Sequence, residues 1–329
     1  HGLPPMPTPP PASLDPDLDP DVLRRLAPLT APTPPRPAPL AVSADAIRHW
    51  CEAFEDRHPP YLDRTCARRL GFRDCIAPLG AVLSTFVIPF AWPPPDTDPP
   101  PPRHLHHDVK AILGFPAAVV TAVAVDQPGT LVVGDRPSIR QRLLTVSAPA
   151  RTALGRGRFW TIERGCLAPD GSVAVCETMT SFGFDPATRS REPRHRAPAA
   201  AAGEPLPALH LPITPVRAAR VASATRDFNP LHLDPDSALR AGFAAPFMSR
   251  EFHLGIACRF LTDHGGEAAQ VRRLALALRR PLCVGDAMSV QGHVLRADTG
   301  RAEVALTIAA SDGVVGTADC LIARWRRPA

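Results

Sequence analysis

Lysine is nearly absent. Lys110 is the only one in 329 residues, so arginine carries almost all of the 37 basic charges, against 32 acidic ones, for a formal net charge of +5. These arginines alternate with acids and apolar residues instead of forming a stripe, and aromatics are only 5% of the chain. That excludes the basic track and stacking platform a nucleic-acid binder needs, and the arginine bias reads as GC-rich coding. No apolar run reaches the ~18 residues of a membrane span, and no basic–apolar–small segment opens the chain as a secretory signal would. The eight cysteines (Cys51, Cys66, Cys75, Cys166, Cys176, Cys258, Cys283 and Cys320) show no Cys-x-x-Cys spacing and no ligand-spaced histidine. They are expected to be free, mostly buried thiols in a reducing compartment. Gly-x-Gly-x-x-Gly and Walker patterns are missing too, so Gly134 and Gly285 read as turn glycines, not phosphate loops. The expectation is a soluble, cytoplasmic protein without a metal or organic cofactor.

Proline is what the chain has in excess, 42 residues, and its runs mark the organisation. Residues 1–41 hold Pro-Pro runs and isolated acids without an apolar period, which predicts a disordered or polyproline arm. Residues 93–102 (PPPDTDPPPP) form a second such insertion, and 187–207 a polar Ala/Pro linker. At about 150 residues per domain, the length suits two domains. The linker accordingly divides the rest into 42–186 and 208–329.

The two halves repeat each other. Asp56-Arg57-His58-Pro59-Pro60-Tyr61-Leu62-Asp63 answers Asp227-Phe228-Asn229-Pro230-Leu231-His232-Leu233-Asp234. Eleven residues after the first Asp comes Ala67 or Ala238, and fifteen after it Gly71-Phe72 or Gly242-Phe243. Pro78 or Pro246 then precedes an apolar stretch, followed by Val-Gly-Asp at 133–135 or 284–286 and an Asp-Gly turn at 170–171 or 312–313. This order indicates duplication of one domain. In the second half, 235–240 predicts a short helix stopped by Gly242. Residues 246–262 predict a helix with Phe247, Leu254, Cys258 and Leu261 on one apolar face. Strands are predicted near 271–280, 286–297, 301–310 and 314–325, and in the first half a helix over 78–88 and strands near 117–126, 136–147, 158–168 and 172–184. A long helix followed by antiparallel strands must bury that helix on the sheet, an α+β class.

One stretch can carry chemistry. Asp227 and His232 lie five residues apart across Pro230, which breaks regular structure and lets both side chains converge on one pocket. Asn229 can hold the turn. Asp234-Pro235 reads as an N-cap and first helical residue, so Asp234 has a structural role.

The string Asp-x-Asn-Pro-Leu-His-x-Asp, followed by Ala238 and Gly242-Phe243-x-x-Pro246, resembles the MaoC-like, or (R)-specific enoyl-thioester hydratase/dehydratase, family. The resemblance spans about residues 42–325 and implies a double hot-dog, two antiparallel sheets each wrapping a central helix, with a degenerate first half. It implies reversible dehydration of a (R)-3-hydroxyacyl thioester, or hydration of the 2-enoyl thioester, of CoA or acyl carrier protein. Asp227 and His232 are then the acid/base pair, supported by Asn229. Backbone N–H groups near Ser249 and Arg250 are the oxyanion hole, and Gly242, Phe243 and Pro246 are substrate-binding. Two alternatives stay open: a cyclase acting on a tethered polyketide-like intermediate, and a non-catalytic acyl-thioester-binding partner subunit. Nucleic acid and membrane are not expected as partners, and a homodimer is left open.

The sequence departs from the family at Arg226, where many members have Gly, and at Ser249-Arg250, where many have His-Gly; Arg250 is expected to add bulk and charge at the pocket mouth. Tyr61 stands where His232 stands and, with a pKa near 10, is no neutral-pH base. The first half is therefore expected to be non-catalytic, its pocket widened for the acyl chain. His104, His106 and His107 are expected in a solvated loop rather than a metal site. Arg272, Arg273, Arg279 and Arg280 are either phosphate ligands or a solvated strand end.

Overall fold

A computed structural model of the chain describes residues 12–90, 104–189 and 203–326. In the first half come β1 (Ser13–Leu14), α1 (Pro20–Leu26), β2 (Arg36–Pro37), α2 (Ala44–Phe54), α3 (Pro59–Leu62), α4 (Arg64–Arg69), α5 (Leu79–Val82) and α6 (Leu105–Ile112). Its remaining strands are β3 (Ala117–Asp126), β4 (Ser138–Val146), β5 (Ala150–Thr152), β6 (Gly155–Leu167) and β7 (Val173–Asp185). The second half has β8 (Glu204–Pro212), α7 (Pro215–Thr225), α8 (Pro235–Arg240), α9 (Arg250–Gly265), β9 (Gln270–Leu278), β10 (Ala287–Asp298), β11 (Gly300–Ala310) and β12 (Gly313–Trp325).

The strands form one sheet in the order β1-β4-β6-β7-β3-β9-β12-β11-β10-β8, with β2 on β4 and β5 on β6. It reads the same outward from its centre: β3 and β9 pair antiparallel, Ala122 opposite Ala277 through Asp126 opposite Arg273. From there the first half continues outward as β7, β6 and β4 and the second as β12, β11 and β10. Helix α9 packs on β9 and β12. The molecule is a double hot-dog, as the resemblance implies, but the two expected sheets are joined into one at the β3–β9 seam and only the second half has a long central helix, α9.

Several expectations change. Residues 12–41 are not a disordered arm: Leu18, Leu26 and Ala38 are buried, β1 runs parallel to β4 and β2 antiparallel to it. The prolines here serve structure, Pro20 opening α1 after the Asp19 cap and Pro37 sitting on an edge strand, where a missing N–H is tolerated. The arm thus supplies to the first half the edge that β8 supplies to the second. Strand β8 begins inside the stretch read as linker; residues 190–202 of that stretch, and the insertion 93–102, lie outside the described residues. Helices α2 and α7 escaped the sequence reading. Each starts on a hydroxyl cap, Ser43 or Thr214, and ends on a residue with left-handed backbone, Glu55 (φ 54°) or Arg226 (φ 61°), just before the repeated Asp.

The expected helix over 78–88 is a single turn, α5. Its counterpart α9 starts at Arg250, four residues later than expected, and is buried over most of its surface, with Phe252, Leu254, Ile256, Ala257, Phe260 and Leu261 inside. Sheet covers part of it and α2 and α5 of the other half another part, which leaves only a narrow polar strip, Arg259, Asp263 and His264, toward solvent. All eight cysteines are free and six are buried. No helix among the described residues is long and apolar enough to cross a membrane.

Candidate active site

Helix α7 delivers Asp227. Arg226 closes the helix in the left-handed region, and the Asp227 amide donates to Thr225 Oγ1 at 3.3 Å. The Asp227 carboxylate accepts the Asn229 amide at 3.3 Å, and Asn229 Oδ1 accepts the Leu231 amide at 3.1 Å. Two Asx bonds and Pro230 therefore fold the segment into a 3₁₀ turn that ends at His232. Asn229 holds the turn, and Asp234 caps α8 through the amides of Asp236 and Ser237.

His232 Nε2 lies 3.5 Å from Asp227 Oδ2. Its Nδ1 is 2.7 Å from the Phe247 carbonyl, which can only accept, so Nδ1 carries a hydrogen and Nε2 faces the carboxylate. The ring stands edge-on to Phe247, centroids 5.2 Å apart. Both side chains line a cavity of about 1570 Å³ that extends into the first half, past Leu83, Val87, Phe90, Val119 and Met179. Helix α9 starts at this cavity. Ser249 Oγ caps the Phe252 amide at 3.4 Å, while Arg250 and Glu251, whose amides come first in the helix and have no carbonyl a turn earlier, line the cavity.

Residues 197–313 match the MaoC like domain, and residues 33–175 match the FAS1-like dehydratase domain region. A 3-oxo-4,17-pregnadiene-20-carboxyl-CoA hydratase beta subunit of Mycobacterium tuberculosis is 32% identical over 98 residues, which are 30% of this chain and 76% of that subunit. The chain belongs to the MaoC-like dehydratase family. A probable enoyl-CoA hydratase alpha subunit of Thermomonospora curvata is 30% identical over 155 residues, 46% of this chain and 48% of that one. The MaoC-like chain thus spans about half the length of the latter relative. Among solved structures, a MaoC-like dehydratase superposes with a TM-score of 0.71 at 18% identity, covering 93% of this chain and all (100%) of that one. A Mycobacterium tuberculosis protein described as a double hotdog superposes at 0.61 with 13% identity, covering 89% and 96%.

Other residues of this MaoC-like protein stand differently from their sequence reading. Of the three expected substrate-binding residues only Phe243 lines the cavity; Gly242 and Pro246 do not. Gly242 ends the α8 turn at φ +82°, and the Pro246 carbonyl accepts the Val284 amide at 2.8 Å. Ser249 likewise caps the helix without lining the cavity. Arg250 is not a loose charge at a pocket mouth. Its side chain is only 10% exposed and is paired with Glu177 of β7 and, at 2.8 Å, with Glu251. Burial alone would weaken its proton affinity, but the Glu177 and Glu251 carboxylates raise it above that of free arginine. Arg164 closes the network on Glu177 at 2.7 Å and donates to the Leu83 carbonyl at 2.7 Å. Burial would raise the Glu177 carboxyl; the two guanidiniums outweigh it and hold the carboxyl below the usual range.

The first-half counterparts are buried: Asp56 accepts the His58 amide at 3.0 Å, and His58 meets Tyr61 edge-on. None of the three lines the cavity. His104 and His106 are no solvated loop either. They cap and open α6, line the cavity, and form no metal-binding group among the described residues. Arg272 and Arg273 bind the other half, through the Gln127 carbonyl (3.0 Å) and Asp126 (2.6 Å). Only Arg279 and Arg280 of that group line the cavity, and Arg280 pairs with Asp312. His253, missed in the sequence, is buried one turn into α9, its Nδ1 2.8 Å from the Ser249 carbonyl. Nothing in its spacing separates it from a core histidine.

Proposed function

We propose that this chain is a hydro-lyase that adds water to a 2-enoyl thioester, or removes it from the (R)-3-hydroxyacyl thioester, of CoA or acyl carrier protein. The carrying observation is the Asp227–His232 pair, 3.5 Å apart, on the wall of a cavity large enough for an acyl chain. The names of the hydratase relatives agree with this chemistry, and the motif resemblance supplies the (R) assignment.

The pair needs to hold one proton. In dehydration His232 Nε2 takes the α-proton, and Asp227, protonated, gives its proton to the β-hydroxyl, which leaves as water. The reverse direction runs from His232 protonated and Asp227 ionised: the carboxylate takes a proton from water as the oxygen attacks Cβ, and the imidazolium protonates Cα. The Phe247 carbonyl fixes the ring through Nδ1 in both states. Negative charge builds on the thioester oxygen as Cα loses its proton. The first amides of α9, at Arg250 and Glu251, are the donors we assign to it, helped by the positive end of a 16-residue helix. The acyl chain extends into the first half, and Arg279 is available to a carrier phosphate.

The test is hydration of crotonyl-CoA and longer 2-enoyl-CoAs, followed by loss of enoyl absorbance. Asp227→Asn and His232→Gln should each lower kcat by about 10²–10⁴-fold without shifting the melting temperature by more than a few degrees. Unchanged rates in the double variant would remove the assignment.

A further inference from the structure

Two charged side chains of the first half reach the opening turn of α9. Arg164 of β6 and Glu177 of β7 stand opposite each other in the register of neighbouring strands. Glu177 Oε2 accepts from Arg164 Nε at 2.9 Å, and its other oxygen, Oε1, accepts from Arg250 Nη1. Arg250 is the first residue of α9, and its Nε is held again by Glu251 Oε1 at 2.8 Å. Arg164 Nη2 donates to the Leu83 carbonyl at the end of α5, 2.7 Å away. The start of α9 is therefore tied to a 13-residue strand of the other half through a carboxylate that is 1% exposed. Two cations and two anions balance here, yet a buried ion network gains little stability over well-packed apolar side chains. Stability alone does not explain its place at the cavity wall. The amides of Arg250 and Glu251, by contrast, have a strict geometric task. They must stay about 3 Å from an oxygen as its charge develops, and a misplacement of about 1 Å costs up to about 10²-fold in rate. The helix's own cap is a loose anchor for them, Ser249 Oγ being 3.4 Å from the Phe252 amide.

We propose that Glu177 and Arg164 are positioning residues: through the Arg250 side chain they fix the direction of the Arg250 and Glu251 amides, so that the half without the Asp/His pair sets the strength of the oxyanion hole. This rests on the hydro-lyase reading above. Because the amides are needed most when charge builds on the thioester oxygen, loss of the network should act on kcat and spare KM.

The experiment binds para-dimethylaminocinnamoyl-CoA to the full chain. The absorbance of this push–pull enoyl thioester moves to the red as its carbonyl accepts stronger hydrogen bonds, whether or not water is added. Beside it, kcat and KM are measured with crotonyl-CoA. The wild type should show the red shift. Glu177→Gln should lose most of it and lower kcat by about 10–100-fold, with KM changed by less than about twofold. That change leaves two buried guanidiniums facing one carboxylate, so the melting temperature is followed too. The charge-balanced pair Arg164→Met, Glu177→Gln leaves Arg250 facing Glu251; it should melt near the wild type and lose the shift and kcat alike. Asp126→Asn removes a different ion pair between the halves, with Arg273 at 2.6 Å, and should keep both. A shift and kcat that survive in the charge-balanced pair, or that fall equally in Asp126→Asn, would overturn the proposal, as would a wild type that leaves the probe's absorbance as it is in water. Turnover with a shift indifferent to Glu177 discards this inference and keeps the hydro-lyase; a Glu177-dependent shift without turnover of any 2-enoyl-CoA discards the hydro-lyase and keeps the inference.

Discussion

At the level of single residues, Arg226 shows how a departure from the family pattern can be accommodated. Its backbone is left-handed, φ 61°, a conformation that costs a non-glycine residue about 1 kcal/mol. That is the physical reason a glycine suits the position before Asp227. The arginine offsets the cost by donating to the Ile88 carbonyl at 2.7 Å and stacking 4.1 Å over Phe90. A charge-assisted hydrogen bond contributes about 1.5–3 kcal/mol, so the bonds outweigh the strain. Arg226→Gly is therefore expected to destabilise by about 1 kcal/mol, measured as a lower midpoint in denaturant unfolding; a more stable variant would mean the strain dominates. Asp227, Asn229 and His232 were legible because a proline between an acid and an imidazole leaves few ways to fold. His104, His253, Arg164 and Glu177 were not, because their roles come from which strand or helix of the other half they meet. Ser249, Gly242 and Pro246 misled for the same reason: the motif fixes their place in the chain but not which way each faces.

Among the elements, α9 and α5 set the contact between halves. A Cβ on Gly80 would sit 2.6 Å from the Trp50 ring and 3.7 Å from Gly255 Cα, and one on Gly255 would overlap the Phe54 ring. Trp50 and Phe54 stack with centroids 3.9 Å apart, so neither ring can yield freely. Gly255→Ala should cost about 1–3 kcal/mol by overpacking, seen as a lower melting temperature. An exposed glycine in the same helix would have gained stability from the change instead. Strand positions and the duplication were readable, because alternation, turn residues and repeated spacing are local. The single-turn α5, the extensive burial of α9 and the folded proline arm were not. The first two follow from one half covering the other. In the third, a few apolar residues, Leu18, Leu26 and Ala38, are buried among prolines that cap an edge.

For the whole molecule, buried histidines set the response to acid. Burial pushes His253 and His58 down to about 4 and His106 to about 3, from 6.5 in a free side chain. An unfolded chain therefore takes up protons first as the pH falls, so the stability these groups confer is complete above about pH 6.5 and is lost on the way down to about pH 4. Asp56 acts oppositely, since burial raises it to about 6: its contribution is present below about pH 4 and fades as the pH rises through 6. Three histidines outweigh one aspartate. The melting temperature should fall as the pH drops from 6.5 toward 4.5, and His253→Gln should flatten that fall; a melting temperature that rises over this interval would contradict the assignment of neutral buried rings. The halves share one sheet, one cavity and the Arg250–Glu177–Arg164 network. The chemistry proposed for one half accordingly depends on the other to hold the acyl group. The most direct measurement is a crystal structure with a non-reactive acyl-pantetheine thioether. The account predicts Cα and Cβ within about 3.5 Å of His232 Nε2 and Asp227 Oδ2, the carbonyl oxygen on the α9 amides, and the acyl chain pointing toward the first half. A ligand bound elsewhere, with this pair facing only solvent or each other, would contradict it.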